Sequence, residues 1–198
     1  LWKNYHTCDY IGICHYRRYL INRQGLIFTE KELMRLLQNH DMITPKLLTL
    51  NTSYFNGFSQ NHHQKDLLIT EQVISEKYPD YVPVFHHMVH DVHTYFGNIF
   101  ITSKERFDTY CEWLFDILFE LSKRVDMSYL SGFQGRFYGR ISEIIFNVWL
   151  DQKIQSGEIK KDQVMEIPYI HMEKINGWKK GTSFLKAKFF GKKYEGSF

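Results

Sequence analysis

The fold is decided by the stretch Asp9-Tyr10-Ile11-Gly12-Ile13-Cys14-His15-Tyr16-Arg17-Arg18-Tyr19. Its first half is an apolar run of the length of a buried strand, and its second half is polar. Two guanidinium groups placed directly after a buried strand can hold a phosphate through paired hydrogen bonds, and Tyr16 offers a ring for stacking on a base or a sugar. The stretch therefore predicts either an anion site or a surface arginine pair beside core tyrosines.

Short strands alternate with helices along the chain, and this order predicts an α/β layered fold with a mainly parallel sheet. In such sheets, ligands bind beyond the carboxyl ends of the strands, where His15 to Arg18 and the Asn98 region are expected. The polar and aromatic stretch 51–61 is expected to be a loop. Capping boxes are predicted at Thr29 with Glu32 and at Thr102 with Glu105. Further strands are predicted over 41–45, 96–101 and 164–170, and helices over 29–39, 64–78, 102–121 and 136–155.

Composition and length favour one globular domain. The chain has 198 residues, of which 43% are hydrophobic and 17% aromatic, and no apolar run approaches the roughly 20 residues of a membrane span. Its three cysteines form no C-x-x-C pair, which favours a reducing, cytosolic setting without a disulfide framework. The first residue is Leu1, and we expect a strand that precedes it to be missing from this sequence.

The small net charge of +3 is unevenly distributed. Six lysines and one glutamate lie between Trp178 and Phe198, interleaved with aromatic residues. Lysine with Trp and Phe is the composition of an interfacial anchor on an anionic bilayer. A solvated basic tail or a nucleic-acid contact is the alternative, but we expect no nucleic-acid partner. The predicted division is therefore a domain over 1–175 and a basic aromatic tail over 176–198.

The helix predicted over 136–155 is apolar nearly all round, yet it carries Glu143. A carboxylate on such a helix is costly unless it is paired or used, and burial raises its pKa toward the range of a general base. Arg140, three residues earlier, is the expected partner, and Arg136 lies one turn further on the same side. A purely structural Arg140–Glu143 pair is the alternative.

Two histidine-rich stretches offer weaker candidates. His86, His90 and Asp91 could place two imidazoles and a carboxylate on a metal, but no further ligand with standard spacing follows. His63 and Asp66, at the start of the helix over 64–78, could bond sugar hydroxyls, although capping explains an acid there equally well.

Several blocks resemble a bacterial family first labelled a domain of unknown function. That family occurs in capsular and exopolysaccharide gene clusters and is regarded as a glycosyltransferase family, with some members associated with galactofuranose transfer. The resemblance spans residues 1 to about 150, and Cys14 to Tyr19 is its most specific element. The matching blocks are Trp2-Lys3-Asn4, residues 9–19, Gly97-Asn98-Ile99-Phe100, Tyr110-Cys111-Glu112-Trp113-Leu114-Phe115 and Arg136-Phe137-Tyr138-Gly139-Arg140-Ile141-Ser142-Glu143.

The resemblance implies a GT-A-like nucleotide-sugar fold. Many such folds end a strand with an Asp-x-Asp pair that holds a divalent metal on the donor diphosphate, whereas His15-Tyr16-Arg17 stands here. We therefore expect no cofactor and cationic side chains in the place of the metal.

The implied function is transfer of a hexosyl unit from a nucleotide-diphosphate sugar to a lipid-linked or oligosaccharide acceptor of a capsular, exopolysaccharide or O-antigen glycan. The expected donor is UDP-linked, galactofuranose included, and the expected chemistry is inverting. Glu143 is the expected base with Asp91 second, and the expected location is the cytoplasmic face of the plasma membrane. The predicted diphosphate contacts are His15, Tyr16, Arg17, Arg18, Arg136 and Arg140, and the predicted sugar contacts are His63, Asp66 and Asn98.

Two other classes stay open from the residues alone. The same arginines and aromatic rings would serve a non-catalytic module that binds glycan or a phosphorylated ligand. A metal hydrolase centred on His86, His90 and Asp91 is the third class.

Overall fold

A computed structural model describes residues 2–4, 6–61, 64–125 and 136–172. The basic aromatic tail and His63 therefore lie outside the described residues. In chain order the elements are β1 (Tyr10–Ile13), β2 (Arg18–Leu20), α1 (Glu30–Leu37), β3 (Met42–Pro45), β4 (Leu48–Thr49), α2 (Tyr54–Asn61), α3 (Gln64–Lys77), α4 (Val82–His90), β5 (His93–Thr94), β6 (Phe100–Ser103), α5 (Lys104–Arg124), α6 (Phe137–Gln155), β7 (Val164–Ile167) and β8 (Tyr169–His171).

The central sheet has the strand order β1-β6-β3-β7. Strands β3 and β7 pair in parallel, whereas β6 runs antiparallel to both β1 and β3. The expected α/β layering is present, but the pairing differs from the mainly parallel expectation. The reason lies in the short β4–β5 pair, which holds the chain near the end of β3, so that β6 starts there and runs back.

Helices cover both faces of this sheet. The larger core lies between one face and α3 to α6, and a smaller core of Leu20, Leu37, Ile43, Ile99 and Ile167 lies under α1. Helix α6 is buried nearly all round, as its composition predicts. The apolar side chains that surround Glu143 on this helix are all 1% exposed or less: Ile141, Ile144, Ile145, Phe146, Val148, Trp149 and Leu150.

One of the two predicted capping boxes forms. The Thr29 side chain accepts from the Glu32 backbone, and the Glu32 carboxylate accepts from the Thr29 backbone at 2.8 Å. The prediction at Thr102 is wrong by one residue, because Ser103 caps α5 by accepting from the Arg106 backbone at 3.2 Å. The Thr102 hydroxyl instead donates to the Asp41 carbonyl at 2.9 Å, which ties β6 to the start of β3.

The prediction of a loop over 51–61 is also wrong, since most of this stretch forms α2. Its polar and aromatic composition gives no strong helical pattern. Packing stabilises it instead: the Tyr54 hydroxyl lies 2.9 Å from the Thr94 hydroxyl of β5.

The predicted late strand is divided at Pro168, which has no N–H for a sheet hydrogen bond. β7 completes the central sheet, and β8 leaves it to pair antiparallel with β2, with Arg18 opposite His171, Tyr19 opposite Ile170 and Leu20 opposite Tyr169. We call this two-stranded unit, with the adjoining Ile21–Ile27 bridge, the ribbon. Within the described part of the chain, no helix is long and apolar enough to cross a bilayer.

Candidate active site

A cavity of about 640 Å³ opens at the edge of the central sheet where β1 and β3 end and β6 begins. The structure brings seven of the predicted site residues together in its lining. These are His15, Tyr16, Arg17, Arg18, Arg136, Arg140 and Glu143.

A tight turn places the first four of these residues. The Arg18 backbone donates to the His15 carbonyl at 2.9 Å, which closes the turn between β1 and β2. The Arg17 carbonyl accepts from the Met172 backbone at 2.8 Å, so the ribbon extends one residue beyond β8 at this end. The polar cluster of the sequence is therefore a rigid turn, fixed on one side by β1 and on the other by β8.

Aromatic rings orient two of the arginines. The Arg18 guanidinium lies over the Phe96 ring at 4.4 Å, and the Arg17 guanidinium lies over the Tyr16 ring at 4.6 Å. A guanidinium group recognises a planar or tetrahedral anion through its N–H edge, whereas the stacked ring contacts its face. Gly97, with φ of 71°, lets the chain turn directly after Phe96.

The lining is strongly positive, because four arginines face one carboxylate. Burial and the neighbouring Arg136 lower the pKa of Arg140, and Glu143 partly offsets them. Cations held this close to one another repel, and a bound polyanion relieves that repulsion. The electrostatics of the cavity therefore favour a ligand with more than one negative charge, such as a diphosphate.

His15 lies within this positive field. Burial lowers its pKa, and the charges of Arg18, Arg17, His171 and Arg136 lower it further. The Arg17 backbone N–H donates to His15 Nδ1 at 3.4 Å. Because Nδ1 is the acceptor, the proton of the neutral ring lies on Nε2.

Glu143 is the acid of the cavity. It lies in the second turn of α6, where burial raises the pKa of its carboxyl group, while Arg18 and Arg140 oppose that rise. Among the described residues, no side chain forms a hydrogen bond or an ion pair with this carboxylate. The predicted Arg140–Glu143 contact thus acts through the electrostatic field, and the carboxylate keeps its acceptor capacity for a ligand.

A hydrogen-bond network fixes α6 against the loop before β6. Asn98 Nδ2 donates to the Ser142 hydroxyl at 2.8 Å, and that hydroxyl donates to the Gly139 carbonyl at 2.7 Å. One turn later, Asn147 Nδ2 donates to the carbonyls of Glu143 and Tyr95 at 2.9 and 3.1 Å. These bonds hold Phe96 and Glu143 in a fixed relative position, because Phe96 lies between the bonded Tyr95 and Asn98, and the Glu143 carbonyl is itself bonded.

Three predicted residues lie away from the cavity lining. Asp91 directly follows α4. Burial raises the pKa of its carboxyl group, but hydrogen bonds from His93 and from the Val92 backbone bring that pKa below its ordinary value. Asp66 is buried in α3. Asn98 has the positioning contact described above, and none of the three is among the lining residues.

Four lining residues were missed by the sequence analysis: Tyr54, Phe96, Gly139 and His171. Phe96 adjoins one of the blocks that carry the family resemblance, and Gly139 lies within another. Their position in or beside these blocks is the signal that could have identified them. Tyr54 lies in the stretch that is predicted to be a loop. No neighbouring residues distinguish His171, because its position depends on a strand partner 153 residues earlier in the chain.

The histidine stretch of α4 has structural contacts. His90 Nδ1 lies 2.8 Å from the His86 carbonyl, and the Phe55 ring stacks on His90 at 4.7 Å. Across the ranges that the structure describes, no group of three or more His, Cys, Asp or Glu residues could hold a metal ion. Arg17 and Arg18, in the turn after β1, are cationic and offer no lone pair, which does not fit a divalent metal there.

The chain belongs to the family described as "Domain of unknown function (DUF4422)", whose profile matches residues 1–154. Among solved structures it is similar to the apo structure of the WbbM bifunctional glycosyltransferase, with a TM-score of 0.76 and 24% sequence identity. The match covers 87% of this chain and 35% of the WbbM chain, so this chain spans about a third of that protein. The likeness agrees with the expected GT-A-like α/β fold. No curated protein sequence matches the chain significantly.

Proposed function

We propose that this chain is the catalytic part of a glycosyltransferase that moves a hexosyl unit from a nucleotide-diphosphate sugar to a glycan acceptor. The observation that carries the proposal is the cavity that combines four arginines with one half-buried carboxylate, which has no hydrogen-bond or ion-pair partner among the described residues. The fold similarity to a solved glycosyltransferase supports it. The proposed donor is UDP-linked, galactofuranose included, and the proposed acceptor is a capsular, exopolysaccharide or O-antigen glycan.

In the proposed reaction, the arginines bind the donor diphosphate. Arg17 and Arg18, held by their stacked rings, contact its oxygens from the turn after β1, and Arg136 and Arg140 contact it from the start of α6. As the bond from the anomeric carbon to the diphosphate breaks, the electron pair leaves with the diphosphate. Cations that are already in place stabilise the developing charge without reorganisation, which is the largest electrostatic contribution such a site can make.

Glu143 is the proposed general base. An acceptor hydroxyl attacks the anomeric carbon, and its proton passes to the Glu143 carboxylate as the new bond forms. Burial raises the pKa of this carboxyl group and so makes it a stronger base than an exposed glutamate. Attack opposite the leaving diphosphate inverts the anomeric centre. No step requires a metal, because the arginines supply the charge that a cation would supply.

The proposal is tested by transfer assays with a panel of nucleotide sugars and an oligosaccharide acceptor. We expect Glu143→Gln to lower the transfer rate by about 100-fold or more, with nucleotide binding nearly unchanged. The matched control is Glu112→Gln, an exposed glutamate of α5, which keeps full activity. Near-normal transfer by Glu143→Gln would reject the role of Glu143. Glycan affinity without donor turnover by the unaltered protein would favour the non-catalytic binding module instead.

We also propose that the chain works at the cytoplasmic face of a membrane, with residues 1–175 as the catalytic domain and 176–198 as a basic tail near anionic lipid. Six lysines interleaved with aromatic residues support this assignment. Raised salt should then weaken binding to vesicles that contain an anionic lipid.

A further inference from the structure

The ribbon has an unusual distribution of polar and apolar side chains between its two faces. Residues two apart in a strand share a face, and paired residues of neighbouring strands share it too. Arg18 and His171 therefore lie on one face, which lines the cavity, and Leu20 and Tyr169 continue that face into the smaller core. Arg18 therefore faces the cavity from the same side of the ribbon that carries the buried Leu20.

The opposite face of the ribbon is apolar, and three of its side chains are open to solvent. We call it the outer face, and it consists of Tyr19, Ile21, Ile27, Ile170 and Met172. Ile27 is 51% exposed, Ile170 39% and Met172 59%. Of the nine large hydrophobic residues that are exposed in the described ranges, four lie in the ribbon or in its turn over residues 22–26. Such clustering on a small part of the surface marks an interaction site rather than chance exposure.

The chain itself indicates what the outer face contacts. The last described residue of the ribbon is Met172, on this face, and the sequence continues from it into the lysine-rich aromatic tail. Arg23, in the turn beside Ile27, is exposed as well. Exposed apolar side chains with an arginine beside them, followed in the sequence by a lysine-rich aromatic stretch, have the composition that suits an anionic bilayer surface, which offers an acyl boundary and headgroup charge.

We infer that the outer face of the ribbon is a docking surface for an anionic lipid bilayer. This inference rests on the proposed function in one respect: it assigns the acceptor to the lipid-linked class. The ribbon is a single layer, so a bilayer that contacts its outer face lies one strand thickness from Arg18 and His171 in the cavity lining. An acceptor carried on a lipid would then be presented beside the donor site.

The test measures binding of the full chain to vesicles of phosphatidylcholine with phosphatidylglycerol. In the double variant Ile27→Ser, Met172→Ser, we expect binding to weaken by about tenfold, because two apolar side chains no longer insert. The matched control is Leu68→Ser, Phe119→Ser, on α3 and α5, where the side chains are 54% and 61% exposed. The control should bind like the unaltered protein. Because serine adds no charge, a loss is attributable to apolar contact.

Three outcomes would overturn the inference. One is equal vesicle binding by the ribbon variant and the unaltered protein, and another is an equal loss in the control variant. The third is a dimer of the unaltered protein, measured by light scattering, that dissociates in the ribbon variant, since it would assign the outer face to a second copy. Ile170→Ser repeats the measurement with a different side chain, and unchanged circular dichroism verifies folding.

The same variants separate this inference from the proposed function. Their substitutions lie outside the cavity, so transfer to a water-soluble acceptor should be retained while vesicle binding is lost. If the unaltered protein binds vesicles through the ribbon but transfers no sugar, the docking surface stands and the transferase proposal fails. If the unaltered protein transfers sugar and the ribbon variant binds vesicles normally, the transferase proposal stands and the docking surface fails.

Discussion

The side chain of Asn147 satisfies both backbone polar groups of Tyr95. Its Oδ1 accepts from the Tyr95 N–H at 2.7 Å, and its Nδ2 donates to the Tyr95 carbonyl at 3.1 Å. The same amide donates to the Glu143 carbonyl one turn earlier in α6. A single buried residue therefore joins the loop that carries Phe96 to the helix that carries Glu143.

Loss of this junction should destabilise the protein. We expect Asn147→Ala to lower the free energy of unfolding by about 2 to 4 kcal/mol, because it leaves the buried Tyr95 N–H without a partner and removes one of the two hydrogen bonds to the Tyr95 carbonyl. Urea unfolding followed by circular dichroism measures the change. The control is Asn39→Ala, an exposed residue after α1, for which we expect a change within about 0.5 kcal/mol. Equal effects of the two substitutions would contradict the role of Asn147.

Glu143 should reduce stability at neutral pH. Burial raises the pKa of its carboxyl group above the ordinary value of 4.5, so the folded protein binds this proton more tightly than the unfolded chain does. Its contribution is therefore complete at pH values below the unfolded pKa and is lost as pH rises through the folded pKa. We expect Glu143→Gln to be more stable than the unaltered protein at neutral pH, with the difference vanishing in acid. Thermal unfolding across that pH range measures it, and an exposed Glu112→Gln control should show no gain.

Arg140 should set the acid limb of the proposed transfer reaction. Its charge lowers the pKa of Glu143, so Arg140→Gln raises that pKa further. Because the base acts in its deprotonated form, the acid limb of the pH–rate profile should move to higher pH. The rate is measured at saturating donor to exclude weaker binding. Arg23→Gln, in the exposed turn after β2, should leave the limb in place, and an unmoved limb in Arg140→Gln would place the base elsewhere.

Binding of a nucleoside diphosphate should be coupled to proton uptake at His15. In the free cavity, burial and the nearby cations lower the pKa of His15 below its ordinary value of 6.5. A bound diphosphate offsets the cations, which raises that pKa and favours proton uptake by the ring. Calorimetric titration with UDP in two buffers of different ionisation enthalpy measures the uptake. We expect it to disappear in His15→Gln, whereas uptake that persists in this variant would assign the proton to another group.

Sequence predicted those parts of the site that local patterns encode. The apolar run before Cys14 and the arginines after it form a strand and its polar turn, because both properties depend on adjacent residues. Glu143 stands out on α6 because that helix is apolar nearly all round. Each of these predictions concerns a single element, and the turn after β1 and Glu143 both line the cavity.

Other features depend on contacts between distant segments. The direction of β6 follows from the β4–β5 pair, which holds the chain at the end of β3. His171 reaches the cavity only because β8 pairs with β2, and Pro168 releases β8 from the central sheet. α2 was predicted as a loop because packing rather than composition stabilises it. No window of neighbouring residues contains the information for these features.

The pairing of Arg18 with His171 also sets the order of events during synthesis. A ribosome releases the chain from its amino end, so the turn after β1 and the whole of α6 leave the exit tunnel before β8 does. Until then β2 has no partner, and the Arg17 carbonyl lacks its bond from Met172. The cavity is therefore among the last parts of the described chain to be completed, because one side of it forms only when β8 pairs with β2.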